Sequence, residues 1–440
     1  EENTLNTVKD TQTGSITEPN AAIFSNSDLT IYGTGQLNVQ GNNNDAIATE
    51  DGLIIKSGSI TATARDDAIR GKDYLIVKTG TLTINAGGDG LKSDNSANAS
   101  RGFIDIENGI LAITSGGDSI AAQTDVNITN GQFTITSGGG SSNTVTSSAK
   151  GIKAQVDLKI NRGTFLLDSA DDNIHSTGTL TINSGTYTLS TGDDAIHADS
   201  SLTINDGTFT ISKSYEGIES TEVTINGGTL NIISTDDGLN GAGGSDGSGF
   251  QPGPGGGGPG QFFVPGNRHI YINGGYIVIT AEGDGIDVNG PLSMTAGNVI
   301  INGPTSPMNT AIDWEGSFTM TGGFILGVGS AGTNIAPAMT AGPTSTQCAV
   351  LINLRTSRPA GTLIHLESNT KNEVITFAPS KQYQSIALCS PLLTMGSTYD
   401  LYLGGSSTGT IKDGIYQNGV YTPGTLTRTF TITSIITKVT

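Results

Sequence analysis

The stretch STGDDAIHADSSLTIN, residues 190–205, sets an acidic pair, Asp193 and Asp194, just ahead of an alternating Leu-Thr-Ile run. One stretch upstream, SADDNIHSTGTLTIN repeats the arrangement with Asp171 and Asp172. Aligned on the acid that precedes a short residue and then Ile or Leu, the series runs Asp45, Asp67, Asp89, Asp118, Lys150, Asp172, Asp194, Glu216, Asp237 and Asp284. Thr310 is a weaker last match. Six of the ten intervals are 21 or 22 residues, and the others are 26, 29, 32 and 47. Self-similarity at a fixed period is the mark of a solenoid, with the longer intervals as loop insertions.

One period from Asp172, DNIHSTGTLTINSGTYTLSTG, holds three short strands, and alternation turns Ile174, Leu180, Ile182, Tyr187 and Leu189 inward. Three strands in about 22 residues predict a parallel β-helix of about 10–11 coils, each pairing with the next at about 4.8 Å. Stacking then predicts two inner rows. One is Phe133, Phe165, Tyr187, Phe209 and Leu230; the other is Asn108, Asn130, Asn161, Asn183, Asn205 and Asn226 at a turn. Both read as scaffold: packing in the first, coil-to-coil hydrogen bonds in the second.

Composition agrees with an all-β class. Glycine is abundant (63 of 440 residues), aromatics are 5 %, and no long helical periodicity interrupts the short alternating runs. The solenoid is expected over 28–335, with a Gly/Pro-rich insertion at 241–267. Residues 1–27 read as a polar tail, a donor strand or cap. From 345 to 440 the strands lengthen and lose the acidic anchor, which predicts a small β-sandwich or cap. Cys348 and Cys389 fall on separate strands there and are expected as buried thiols rather than a disulfide. Glu1 reads as the start of a mature chain, with no signal peptide in the sequence. A net charge of −19 disfavours nucleic acid and anionic membrane as partners. No run of 18 apolar residues predicts a membrane-spanning helix, so no direct membrane insertion is expected.

The stacked acids pose the chemical question. In a β-helix Asp172, Asp194, Glu216 and Asp237 form a column, doubled by Asp171, Asp193 and Asp236; Asp284 extends it, and Asp45, Asp67, Asp89 and Asp118 form another with Asp66 beside it. Two carboxylates about 5 Å apart repel by roughly 1 kcal/mol in water and about 3 at an effective dielectric near 20. Such a column must protonate, splay into solvent or bind cations. Clustered carboxylate and carbonyl oxygens suit Ca²⁺, with Asp199, Glu219 and Asp287 as extra donors. Turn-forming Asp residues, bonded to backbone, explain single acids but not the doubled ones. Lys150, between the columns, is placed to neutralise a carboxylate where no metal binds. His175 and His197, at +3 in adjacent coils, read as a stacked surface pair rather than a transition-metal site. Whether ions would only join coils or also bridge to a ligand stays open.

The DDAI…LTINxGT(F/Y)T(I/L) coils, the SGFQPGPGGGGPG insertion and the TFAPSKQYQSIALCSPLL…GSTYDLYLGG segment resemble one family across residues 28–440. It is the secreted bacterial carbohydrate-binding proteins of pectate-lyase-like fold, found in cellulose-degrading clostridia among others. The resemblance implies a right-handed parallel β-helix carrying Ca²⁺ at its acidic turns, an extracellular or cell-surface location, and non-catalytic binding of cellulose or acidic, pectin-like polysaccharide. It marks no glycan-contacting residue. Lys150, Tyr215, Gly88 and Gly117 break the acidic pattern and put a metal at those levels in doubt.

Three function classes follow. A lyase needs Ca²⁺ and a base, and Arg65, Arg70 and Lys92 lie near Asp66, Asp67 and Asp89; basic residues beside acids more often form ion pairs. A binding module needs a long face for an extended glycan, with Trp314, Phe250, Phe262 and Phe263 as the aromatic candidates. A self-assembling filament or surface-layer subunit is the alternative, through the open ends of the solenoid.

Overall fold

A computed structural model of the chain describes residues 3–4, 21–145, 147–242 and 268–440. The expected insertion at 241–267 lies almost wholly outside them, as do Phe250, Phe262, Phe263 and most of the tail. The described chain is all-β, with no helix among these residues. It divides into two compact units, Glu1–Thr221 with Gly243–Gly266, and Glu222–Ala242 with Asn267–Thr440.

In the first unit, strands repeat in threes and each stacks in parallel on its counterpart in the next repeat. One ladder contains Thr81–Ala86, Ile110–Ser115, Gln132–Ser137, Thr164–Ser169, Thr186–Thr191 and Thr208–Lys213. A second contains Ile120–Ala122, Ile152–Ala154 and Ile174–Ser176, each just after the turn that carries Asp118, Lys150 or Asp172. A third contains Val126–Ile128, Leu158–Ile160 and Thr179–Ile182. Asp45–Thr49 of the second ladder pairs back to Ala21–Ser25, so the stacking already includes residue 21. Asn3–Thr4 lies parallel to Leu37 and Asn38 of Gln36–Gly41, on the edge of the first ladder. This is a solenoid-like parallel fold.

Alternation does what the sequence implies. Ile174, Leu180, Ile182, Tyr187 and Leu189 are all fully buried, because neighbouring side chains on a strand face opposite sides. The aromatic row is continuous: ring centroids are 4.6 Å apart for Phe133–Phe165, 4.7 Å for Phe165–Tyr187 and 4.5 Å for Tyr187–Phe209, with planes within 5°. Leu230, expected next in the row, is buried within the second unit. The turn before each aromatic strand needs glycine. Gly185 has φ of 135°, and a Cβ there would lie 2.9 Å from the Tyr187 ring and 3.0 Å from the Gly163 carbonyl.

The asparagine row corrects one expectation. Its side-chain amides do bond from repeat to repeat, Asn183 donating to Asn161 at 2.9 Å and Asn205 to Asn183 at 2.8 Å. Yet Asn108 and Asn161 are exposed and Asn130, Asn183 and Asn205 half-buried, so the row runs along the outside of the turn. An amide that spans only to the next rung needs no burial, and its remaining hydrogen-bond sites stay hydrated.

In the second unit the parallel ladder Thr229–Ser234, Tyr276–Ala281, Asn298–Asn302, Phe324–Gly329 ends when the last strand meets Tyr383–Cys389 antiparallel. That strand pairs antiparallel with Ala349–Arg358. A six-stranded antiparallel sheet follows, with Glu373–Phe377, Ile364–Ser368, Thr398–Ser407 and Tyr421–Thr431 among its strands. The core it encloses takes in Val278, Ile300 and Leu326, the outward residues of the parallel ladder, against Leu366, Phe377 and Leu401. The C-terminal region therefore covers a ladder face as well as ending the ladder. Cys348 and Cys389 are buried free thiols.

Candidate functional site at the acidic turns

Each ladder acid is first of all a backbone acceptor. The Oδ1 of Asp45 takes the N–H of Asp67 (3.2 Å), Asp67 that of Asp89 (2.9 Å), Asp89 that of Asp118 (2.8 Å), and Asp118 that of Lys150 (2.8 Å). After Lys150 the series resumes: Asp172 takes Asp194 N–H and Asp194 takes Glu216 N–H, both at 3.1 Å. In the second unit Asp237 takes Asp284 N–H at 2.6 Å, and Asp284 takes Thr310 N–H. The turn frees one N–H per repeat, and a carboxylate satisfies it with a charge-assisted bond. This explains why Lys150 interrupts the series without breaking the stack: it donates its N–H like the others and merely offers no acceptor onward.

The second carboxylate oxygen meets a side chain at +3. In the second ladder, Arg70 pairs in register with Lys92, Lys153 with His175, and His175 with His197. Lys92 Nζ lies 2.9 Å from both Asp67 and Asp89, and Lys153 Nζ 3.1 Å from Asp118. Lys150 Nζ, itself buried, bonds Asp171 Oδ1 at 2.8 Å and Asp172 Oδ2 at 2.6 Å. Burial raises the Asp172 carboxyl, but Lys150 and His175 outweigh it and hold the group well below the ordinary carboxylate range. The expected neutralising role of Lys150 is what is seen.

His175 and His197 are neighbours, with ring centroids 5.0 Å apart and planes tilted by 41°, but they are not a surface pair. They are 6 % and 0 % exposed. His175 Nδ1 faces Asp172 at 2.9 Å, His197 Nδ1 faces Asp194 at 3.1 Å and Glu219 at 3.6 Å, and His197 Nε2 faces Asp199 at 3.3 Å. Burial disfavours a charged His197, yet the facing carboxylates of Asp194 and Asp199 raise it well above the ordinary histidine range. Burial, with the charges of Glu216 and Asp194, raises Glu219 likewise.

Further along, +3 turns acidic. Asp287 pairs in register with Asp313 in the second unit. Burial, the backbone bond to Thr310 and neighbouring Asp287 and Asp313 leave Asp284 at about 8; burial with Asp313 and Glu315 takes Asp287 to about 7. Among the described residues, four groups place metal-ligating atoms within 4.8 Å of one another: Asp172–His175–His197, Asp194–His197–Glu219, Asp171–Asp172–Asp193 and Asp284–Asp287–Asp313. Of the predicted acids, Asp171, Asp172, Asp193, Asp194 and Asp284 are thus brought together with partners. Asp45, Asp66, Asp67, Asp89, Asp118, Glu216, Asp236 and Asp237 enter none of these groups. Where the pair's first acid is glycine, there is a reason: a Cβ at Gly117 would sit 2.5 Å from Asp89 Oδ1. Lys153 and Asp313 were not singled out in the sequence, although reading the repeat at +3 finds both.

Two of the three candidate bases, Arg70 and Lys92, are committed to ion pairs. Arg70 lies 2.9 Å from Asp94 and 3.4 Å from Glu50, and Lys92 bridges two acids. Arg65 is exposed. The outward face of the first ladder offers a different chemistry. Outward positions of the first ladder are hydroxyl-rich and exposed, including Thr81, Thr83, Thr134, Thr164, Thr186, Thr188, Thr208 and Thr210. On the third ladder, half-buried Tyr74 and Phe103 stack at 5.7 Å, a platform not foreseen in the sequence. Trp314 is half-buried, its Nε1 donating to the Thr340 carbonyl at 3.1 Å.

A family model described as carbohydrate-binding domain-containing protein matches residues 1–195 and 194–238, more than half of the chain. No curated protein and no solved structure matches it.

Proposed function

Because the chain belongs to the carbohydrate-binding domain-containing protein family, we propose that it is a non-catalytic, extracellular polysaccharide binder built on a right-handed parallel β-helix. The observation that carries this reading is the hydroxyl-rich outward face of the first ladder, on which Thr164, Thr186 and Thr208 stand in register beside Thr188 and Thr210, while exposed Ile110 and Leu166 share the same rows. Rungs about 4.8 Å apart and alternate residues along each strand give an extended face of hydroxyl groups interrupted by apolar side chains. An extended glycan presents the matching hydroxyls, and on the third ladder the Tyr74–Phe103 platform is a separate surface on which a sugar ring stacks. The ion pairs of Arg70 and Lys92 support binding over lyase chemistry, which needs an unengaged base.

Calcium belongs to this proposal at a narrower place than the whole acidic column. Lys92, Lys150 and Lys153 already compensate acids in the first unit. Asp284, Asp287 and Asp313 face one another, and burial together with neighbouring acids favours the protonated forms of Asp284 and Asp287, which a hard cation would reverse. With a net charge of −19, a divalent ion is also the natural link to an acidic glycan.

The test is affinity electrophoresis through gels containing cellulose-derived or polygalacturonate polymer, with and without Ca²⁺. Retardation by at least one polymer is expected, weakened about fivefold or more in Thr134→Glu/Thr188→Glu with unchanged melting temperature. Free migration through every polymer would overturn the reading.

A further inference from the structure

We propose that Asp194, His197 and Glu219 form a binding site for a borderline divalent metal of the zinc class, with Asp199 as the carboxylate that orients the histidine. The site is separate from the proposed calcium position and does not rest on glycan binding. All four residues belong to the first unit.

The geometry suits a small tetrahedral ion. Metal–nitrogen and metal–oxygen bonds of about 2.0–2.2 Å place tetrahedral donors roughly 3.3–3.5 Å from one another. His197 Nδ1 stands 3.1 Å from Asp194 Oδ2 and 3.6 Å from Glu219 Oε2, values on either side of that edge, and all three donors lie within 4.8 Å. An ion drawn to their centroid meets its three ligands with sub-ångström side-chain adjustments. The fourth position is left for water, since the Glu219 and Asp199 side chains keep 15 % and 18 % exposure while His197 has none.

The donor set discriminates between metals. Calcium takes six to eight oxygens at longer distances, and a buried imidazole with two carboxylates offers too few. Imidazole and carboxylate together suit zinc and its neighbours. A ligating histidine usually gives its other ring N–H to a carboxylate, which fixes the tautomer. Asp199 Oδ1, 3.3 Å from His197 Nε2, occupies that place. The oxygen is buried and meets no partner in conventional hydrogen-bond geometry, and a metal on Nδ1 would fix at Nε2 the N–H that it lacks. The neighbouring Asp172–His175–His197 group is the weaker competitor, because Lys150 Nζ sits 2.6 Å from Asp172 Oδ2 and its positive charge opposes a cation.

The test uses the full chain, stripped with chelator and dialysed, titrated with Zn²⁺ by calorimetry and with Co²⁺ by visible absorption, in the presence of excess Ca²⁺. One equivalent of Zn²⁺ should bind in competition with Co²⁺, and Co²⁺ should give the intense d–d bands of a tetrahedral site. His197→Gln and Glu219→Gln should weaken Zn²⁺ binding by roughly 100-fold or more, and Asp199→Asn by about 10–100-fold. His175→Gln should leave it within about threefold, provided circular dichroism shows that each variant keeps its fold. Absence of Zn²⁺ uptake by the native chain, or undiminished uptake by a folded His197→Gln, overturns the proposal. A variant that fails to fold is replaced by Glu219→Gln, and Co²⁺ absorption of the native chain decides independently whether the site is tetrahedral.

Discussion

Asp45 is 3 % exposed, and its acceptor role toward Asp67 sets it beside two further acids. Burial, then the charges of Asp67 and Asp66, push its carboxyl up to about 7 from an ordinary value of 3.8. Between those values the folded chain keeps a proton that the unfolded chain has released, so this residue makes stability fall as pH rises from about 4 to about 7. Asp45→Asn keeps an oxygen for the Asp67 N–H and removes the titration. In chelator, the variant should match the native chain near pH 4 and exceed it by roughly 2–4 kcal/mol near pH 8, read from denaturant unfolding at both pH values. Equal stability gains at both would show that charge is not the cause. Lys150 carries the opposite lesson. Lys150→Met strands Asp171 and Asp172 without their ammonium and should cost about 3–5 kcal/mol, most of it recovered by adding Asp171→Asn and Asp172→Asn. The sequence displayed the acids plainly but not their partner. An Asp written before a strand looks the same whether its oxygen meets calcium, a lysine or a backbone N–H, and only the stacked turn reveals the free N–H one repeat on.

At the scale of the strand, legibility was high where period and alternation coincide. Residues such as Phe165 and Tyr187 recur one repeat apart at the same inward position, and stacking at 4.7 Å follows from the rung spacing itself. Phe165 contacts a ring on each side, so Phe165→Ala should destabilise by about 3–5 kcal/mol in denaturant unfolding. Phe165→Tyr, which keeps the ring and resembles Tyr187 in the next rung, should cost far less. Equal losses would mean that a ring at this position does not preserve the row, and the stacking account would fail. Outward residues were legible too, though less was drawn from them. Upstream strands alternate strictly, as in Thr81–Ala86, whereas Tyr276–Ala281 and Asn298–Asn302 carry Val278 and Ile300 facing out. Apolar residues on both faces of a strand announce a second layer, and the six-stranded sheet supplies it. Burial of His175 and His197 was harder to foresee, because alternation alone places them outward; the acids and aromatic-free turn around them enclose the rings.

For the molecule as a whole, the two kinds of sheet imply two kinds of cooperativity. A parallel ladder is held by nearest-neighbour contacts between repeats, so damage decays over a few rungs. The C-terminal core is different: Phe377, Leu366, Leu401 and Tyr399 form one cluster fed by strands distant in sequence, and losing a member weakens all of them together. Phe377 is fully buried, and Phe377→Ala should cost about 3–5 kcal/mol within that cluster. Hydrogen exchange should then accelerate together in Ile364–Ser368, Glu373–Phe377 and Thr398–Ser407, the strands that share the cluster. Amides of Ile152–Ala154 and Thr164–Ser169, in the first unit, should exchange at the native rate. Uniform acceleration across both sets would show that the chain unfolds as one cooperative body, and the nearest-neighbour account of the solenoid would fail with it.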